Sequence, residues 1–209
     1  MKTKIFLAGL ALVSALATTG CFKSPEPDVV ITLSKEDMIG TWRVSSSPIP
    51  YFYITFTDKD NFYTYNSNYE NQKGTFAFEN DQLVFYIDDG GKTSREVFSY
   101  RFWDGVLTLY EGVSAVMSLR CEDESVFFGN WIEQGGSIYG FYPDGTALHF
   151  APDSYDPSRM TVDDMYGYKI DELKRFVFKD EEYTMAYDGG ATLTLTPLQG
   201  GTVLQFTRP

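Results

Sequence analysis

Gly40-Thr41-Trp42 opens one stretch of this chain, Gly129-Asn130-Trp131 opens another, and the segments downstream of each decide the fold. After the first come Ile54-Thr55-Phe56-Thr57-Asp58 and Phe62-Tyr63-Thr64-Tyr65. After the second come Tyr139-Gly140-Phe141-Tyr142-Pro143-Asp144-Gly145 and Ala147-Leu148-His149-Phe150. Gly74-Thr75-Phe76-Ala77-Phe78 with Leu83-Val84-Phe85 answers to Gly167-Tyr168-Lys169-Ile170 with Phe176-Val177-Phe178. Phe98-Ser99-Tyr100-Arg101-Phe102, Asp104-Gly105 and Leu107-Thr108-Leu109 answer to Tyr183-Thr184-Met185-Ala186-Tyr187, Asp188-Gly189 and Leu193-Thr194-Leu195. Both runs finish on an apolar segment carrying arginine, Met117-Ser118-Leu119-Arg120 and Leu204-Gln205-Phe206-Thr207-Arg208. Matches in the same order at nearly the same spacing mark an internal duplication.

Within each copy, short segments alternate apolar with polar residues and are separated by Asp, Asn, Gly and Pro, the pattern of antiparallel β structure. The first copy reads as strands near 40–46, 51–58, 61–67, 74–80, 82–88, 94–103, 106–111 and 116–121. The second reads as strands near 129–134, 137–143, 146–151, 165–171, 173–179, 182–187, 192–196 and 202–208. Asp104-Gly105 is a two-residue hairpin signal, because glycine tolerates the positive φ such a turn needs. A meander of this kind removes its exposed edges by closing on itself. The expected fold is therefore all-β: two tandem, small antiparallel meander barrels of about eight strands each. Ser34-Lys35-Glu36-Asp37 carries a capping residue with a carboxylate three places later, which predicts a helical turn before the first strand. Asp123 to Phe128 stands at the equivalent point of the second copy, as linker and helical lead-in. The repeats span 34–122 and 123–209.

Outward from the repeats, Lys2 and Lys4 precede an apolar run from Ile5 to Ala17 that ends in Thr18-Thr19-Gly20-Cys21. The run is too short to span a bilayer and reads as a secretory signal over residues 1–20. Small residues directly before Cys21 resemble the lipobox of bacterial lipoproteins, in which that cysteine is acylated; Thr18 stands where the lipobox usually has leucine. Residues 21–33, with two prolines and mixed charges, read as a tether of at most ~40 Å. Phe22 after the cysteine, in place of the aspartate of some retention signals, points to the outer membrane. The net charge of −12, which removal of Lys2 and Lys4 makes more negative still, repels phosphate backbones and argues against a nucleic-acid partner. With Cys21 lipidated, Cys121 is the only remaining thiol, so the expected stability comes from packing and not from a disulfide.

A helical turn, GxW on the first strand, an eight-strand meander and an arginine on the last strand together resemble the lipocalin or calycin pattern, above all the small lipocalin-like repeats of bacterial lipoproteins of unknown function. The resemblance covers nearly all of residues 34–209. It implies that a tryptophan closes one end of each barrel with the last-strand arginine packed across it. The implied pairs are Trp42 with Arg120 and Trp131 with Arg208. Each copy is smaller than a transport lipocalin, so side chains are expected to fill a barrel of this size.

Catalytic chemistry finds little footing. His149 is the only histidine and reads as a polar strand position; Cys121 has no CxxC neighbour and reads as an inert thiol. No metal site, cofactor or catalytic residue is expected. Tyr51, Tyr53, Tyr63 and Tyr65, with Tyr69 beyond them, are a candidate ligand face, and alternation places Tyr51 and Tyr53 on the same side of their strand. Asp153, Tyr155, Asp156, Asp163 and Asp164, in the longest insertion of the second copy, are a candidate binding loop that lacks the spacing of an EF-hand. The expected function is a non-enzymatic binding or accessory module, lipid-anchored in a bacterial envelope. Its partner would be a small apolar molecule, a glycan or a protein. The alternative is a structural or protein-interaction lipoprotein with solid barrels.

Overall fold

The structure, a computed structural model, describes residues 32–209 except 48, 50, 59, 172–174 and 190. The expected signal sequence, Cys21 and most of the expected tether lie outside the described residues. A helical turn α1 (Lys35–Met38) leads into β1 (Gly40–Val44), β2 (Tyr53–Phe56), β3 (Asn61–Tyr65), β4 (Gln72–Glu79), β5 (Gln82–Asp89), β6 (Lys92–Trp103), β7 (Val106–Glu111) and β8 (Ser114–Asp123). The second copy comprises β9 (Gly129–Glu133), β10 (Ile138–Phe141), β11 (Thr146–Pro152), β12 (Met160–Ile170), β13 (Arg175–Phe178), β14 (Glu181–Tyr187), β15 (Thr192–Pro197) and β16 (Leu204–Thr207). Within each copy every neighbour in sequence is a neighbour in space and every pairing is antiparallel. β1 closes on β8 and β9 on β16, giving two closed eight-strand barrels.

Local chemistry explains the turns and the entry. Asp104 and Gly105, with φ of 49° and 72°, supply the left-handed pair that a tight β6–β7 hairpin needs. The Asp37 carboxylate accepts hydrogen bonds from the Ser34 backbone N–H at 2.8 Å and hydroxyl at 2.9 Å, which starts α1 at the capping residue. The second lead-in differs from expectation: residues 124–128 form no helix. β8 runs on to Asp123, where it still pairs with Thr41, and Ser125 N–H bonds back to the Asp123 carboxylate at 2.7 Å. Phe127 and Phe128 bury their rings there instead.

Alternation sends one face of every strand inward. In the first barrel Trp42, Phe56, Phe76, Leu83, Phe102, Leu107, Leu109 and Leu119 are essentially without solvent exposure, and in the second so are Trp131, Phe141, Phe176, Leu193, Leu195 and Phe206. Ring pairs lock these layers: Phe56–Phe76 at 4.9 Å, Phe62–Phe85 at 4.9 Å and Phe141–Phe176 at 5.3 Å, all edge-to-face. The interior positions are thus occupied by side chains, as an eight-strand barrel permits.

Each tryptophan closes its barrel in the same way. Trp42 Nε1 donates to the Met38 carbonyl and Trp131 Nε1 to the Phe127 carbonyl, both at 2.8 Å, while Phe102 and Tyr187 meet the indoles edge-on. The arginines are not equivalent. Arg208 stacks on Trp131, its Cζ 4.4 Å from the ring centroid. Arg120, in contrast, lies opposite Arg43 with its side chain exposed, and the residue opposite Trp42 is Cys121. The implied Trp42–Arg120 pair is therefore replaced by Trp42 facing Cys121. A one-residue offset between the two last strands turns the first arginine outward, since a strand's faces alternate with period two.

Candidate functional site

The aromatic face read from the sequence does lie on one side of β2 and β3. Ile54 and Phe56 point into the first barrel, whereas Tyr53 and Tyr65 belong to the same buried cluster as the second barrel's core. The structure thereby brings the expected tyrosines together and covers most of them with the other barrel. Tyr142, just past β10, is the ring they surround: its centroid is 5.0 Å from Tyr51, 5.8 Å from Tyr53 and 5.7 Å from Tyr65, and Tyr53 stacks on Tyr65 at 5.6 Å. Gly140 makes the room, since a Cβ there would lie 2.5 Å from Asn130 Oδ1 and 2.9 Å from the Tyr142 ring. Tyr69 packs on Phe150 at 5.2 Å.

Polar contacts fasten the same seam. Thr55 donates to the Phe128 carbonyl at 3.2 Å, Asn130 Nδ2 to Asn71 Oδ1 at 2.8 Å, and Lys73 Nζ to the Pro209 carbonyl at 3.2 Å. Arg208 is the pin. Its guanidinium lies between the Trp131 ring and the Tyr63 ring of the first barrel, 4.2 Å from the latter, and Nη2 donates to Val126 O at 2.8 Å and Phe128 O at 3.1 Å. Both repeats present the outer face of their opening strands, β2 and β3 against β9, β10 and β11.

Beside this packed seam the barrels part to leave a cleft of about 440 Å³, lined by Arg43, Tyr51, Tyr53 and Glu122 of the first barrel and by Pro143 and Asp144 of the second. Arg43 and Tyr53 are register partners on the outward face of β1 and β2. Tyr51 holds φ of 53°, a left-handed conformation that is rare for an aromatic residue and sets its ring at the cleft wall. Burial pushes the Tyr53 hydroxyl up to about 12, and the Asp144 carboxylate adds to this while Arg43 opposes it. The cleft offers two tyrosine rings with their hydroxyls, one arginine and two acidic side chains. Arg43 and Glu122 lie at opposite ends of the first repeat, on β1 and β8, and Asp144 in the β10–β11 turn of the second; they carry no motif, and the barrel-on-barrel geometry unites them.

The candidate loop is organised differently from the sequence reading. β12 begins at Met160 rather than near residue 165, and Pro152 pairs with Met160, so most of the insertion is an extended hairpin. At its tip the Asp153 carboxylate accepts from the N–H groups of Tyr155 and Asp156, and Asp156 from Ser158. Tyr155 is 97% exposed. Asp163 pairs with His149 Nδ1 at 3.2 Å and Asp164 accepts from the Met165 N–H, so the five residues do not converge. Among the described residues no three His, Cys, Asp or Glu side chains are placed to hold a metal ion. Cys121 is not the inert thiol expected: it is disulfide-bonded, so the expectation of a fold without a disulfide does not hold.

Comparison with protein-family models, with curated proteins and with solved structures gives no match.

Proposed function

We propose that this chain is an exported, non-enzymatic recognition protein of a bacterial envelope, which binds a short glycan in the cleft between its barrels and not inside either of them. The observation that carries the reading is the cleft itself. Its volume is on the scale of small-ligand sites, about 300–1,000 Å³, while the barrel interiors are taken up by aromatic and aliphatic side chains. A sugar ring has an apolar C–H face and an edge of hydroxyls. Tyr51 supplies ring surface for the first, and Arg43, Glu122 and Asp144 supply donors and acceptors for the second.

Binding of the wild-type protein to a panel of envelope oligosaccharides, measured by calorimetry, tests this. Asp144→Asn is expected to weaken a positive member at least tenfold with the thermal transition little changed, and Tyr51→Ala to weaken it as much while lowering the transition, since that ring also packs on Tyr142. If no member binds, or if the variants bind as the wild type does, the solid barrels are better described as a structural or protein-interaction lipoprotein. The expected lipidation of Cys21 competes with the disulfide of Cys121 for sulfur, because the chain has two cysteines in all. The intact mass of the unreduced mature protein reads which of the two modifications it carries.

A further inference from the structure

We propose that the open mouth of the second barrel, at the end away from Trp131, is a site for a small organic cation. A pocket of about 220 Å³ opens there, walled by Tyr139, Phe178 and Tyr183 with Glu133 and Glu181 at its edge. Strand register explains how these groups meet. Glu133 lies opposite Phe206 and Glu181 opposite Phe178, so both carboxylates sit on the inward face of their strands, a position otherwise given to apolar side chains. The Tyr183 hydroxyl donates to Glu181 Oε2 at 2.6 Å and holds that carboxylate at the edge.

The ring set already holds one ammonium. Lys179, exposed on the β13–β14 turn, reaches back so that Nζ is 4.6 Å from the Tyr139 and Tyr166 centroids and 5.3 Å from that of Phe178, and it donates to Tyr139 Oη at 2.7 Å. Aromatic faces attract cations through their quadrupoles. Two carboxylates against one lysine leave the pocket edge with excess negative charge. A free ammonium therefore meets attraction from rings and carboxylates and competition from Lys179, which acts as a tethered occupant. The opposite assignment, a site for an anion with Lys179 as its anchor, predicts the reverse response to loss of that lysine.

The test is an NMR titration of the full chain with tetramethylammonium, using tert-butanol as a neutral control of similar size. Resonances of Tyr139, Tyr166 and Phe178 are expected to shift with the cation and not with the alcohol. Lys179→Asn removes the competing charge, and asparagine accepts the φ of 51° at that position. It is expected to tighten binding roughly fourfold, the value of a like charge about 5 Å away in water. Glu133→Gln with Glu181→Gln is expected to weaken binding by at least as much. Weaker or unchanged binding in Lys179→Asn, equal shifts with tert-butanol, or no shift at the highest soluble concentration would each overturn the proposal. The site shares no residue with the inter-barrel cleft, so the two readings fail separately.

Discussion

Replacing Arg208 by alanine should destabilise the protein far more than replacing Arg120, although the two arginines end equivalent segments of the repeat. Arg208 is 9% exposed, donates to two backbone carbonyls and lies between the Trp131 and Tyr63 rings. Hydrogen bonds from a charged donor contribute about 1.5–3 kcal/mol each and a partly desolvated cation–π contact about 1 kcal/mol; with the freed carbonyls partly rehydrated, the loss is about 3–5 kcal/mol. Arg120 is exposed on the outer face of β8, where truncation is expected to cost no more than about 0.5 kcal/mol. Urea unfolding followed by tryptophan fluorescence reads both, because Trp131 lies directly under the Arg208 guanidinium. Arg208→Lys keeps the charge without the planar fork and should recover less than half of the loss. Equal losses from Arg120→Ala and Arg208→Ala, or a loss below about 1 kcal/mol for the latter, would refute the assignment of Arg208 as the pin between barrels.

The same geometry sets three further outcomes. Tyr142→Ala removes the ring that Tyr51, Tyr53 and Tyr65 surround and should cost about 3–5 kcal/mol, splitting a single unfolding transition into two as the barrels lose their contact. Gly74→Ala puts a Cβ 2.0 Å from the Tyr86 carbonyl oxygen and 2.9 Å from the Phe62 ring, so a loss of about 3 kcal/mol is expected in the same urea assay. Burial raises the ionisation of Tyr53 to about 12 and pushes Tyr65, Tyr142 and Tyr168 up as well, whereas the unfolded chain releases these protons near pH 10. The folded state thus holds the protons more tightly: this stabilisation is complete below about pH 10 and is lost as pH rises towards 12, which tyrosinate absorbance and alkaline unfolding would track together.

Most of the fold is legible along the chain because its signals are local. Period-two alternation, Asp-Gly turns and the recurrence of GxW locate the strands and the duplication, and Ser34 with Asp37 marks the helical turn. What is not legible depends on register or on contact between repeats. Whether Arg120 or Cys121 faces Trp42 turns on a single residue of offset in β8. The long β12 reads as a loop because Asp153 to Asp164 is polar, yet a two-strand hairpin projecting beyond the barrel needs no apolar face. Tyr51 and Tyr53 are visible in the sequence as a shared face. Their partners Tyr142, Asp144 and Glu122 are not, for nothing in one copy's pattern says that the outer face of its opening strands will be covered by the other copy. An aromatic-rich outward face on strands that already have an aromatic inward face is the one available signal of such a seam.

Glycan recognition, in this account, lies between the two barrels and not within their filled cores. Crystals of the mature protein soaked with the oligosaccharides that bind in solution test it most directly. Ligand density is predicted in the cleft against Tyr51 and Tyr53, with polar contacts to Arg43, Glu122 and Asp144 and unchanged aromatic packing inside both barrels. Density within either barrel, with the rings around Phe56 or Phe141 moved aside to admit it, would contradict the account.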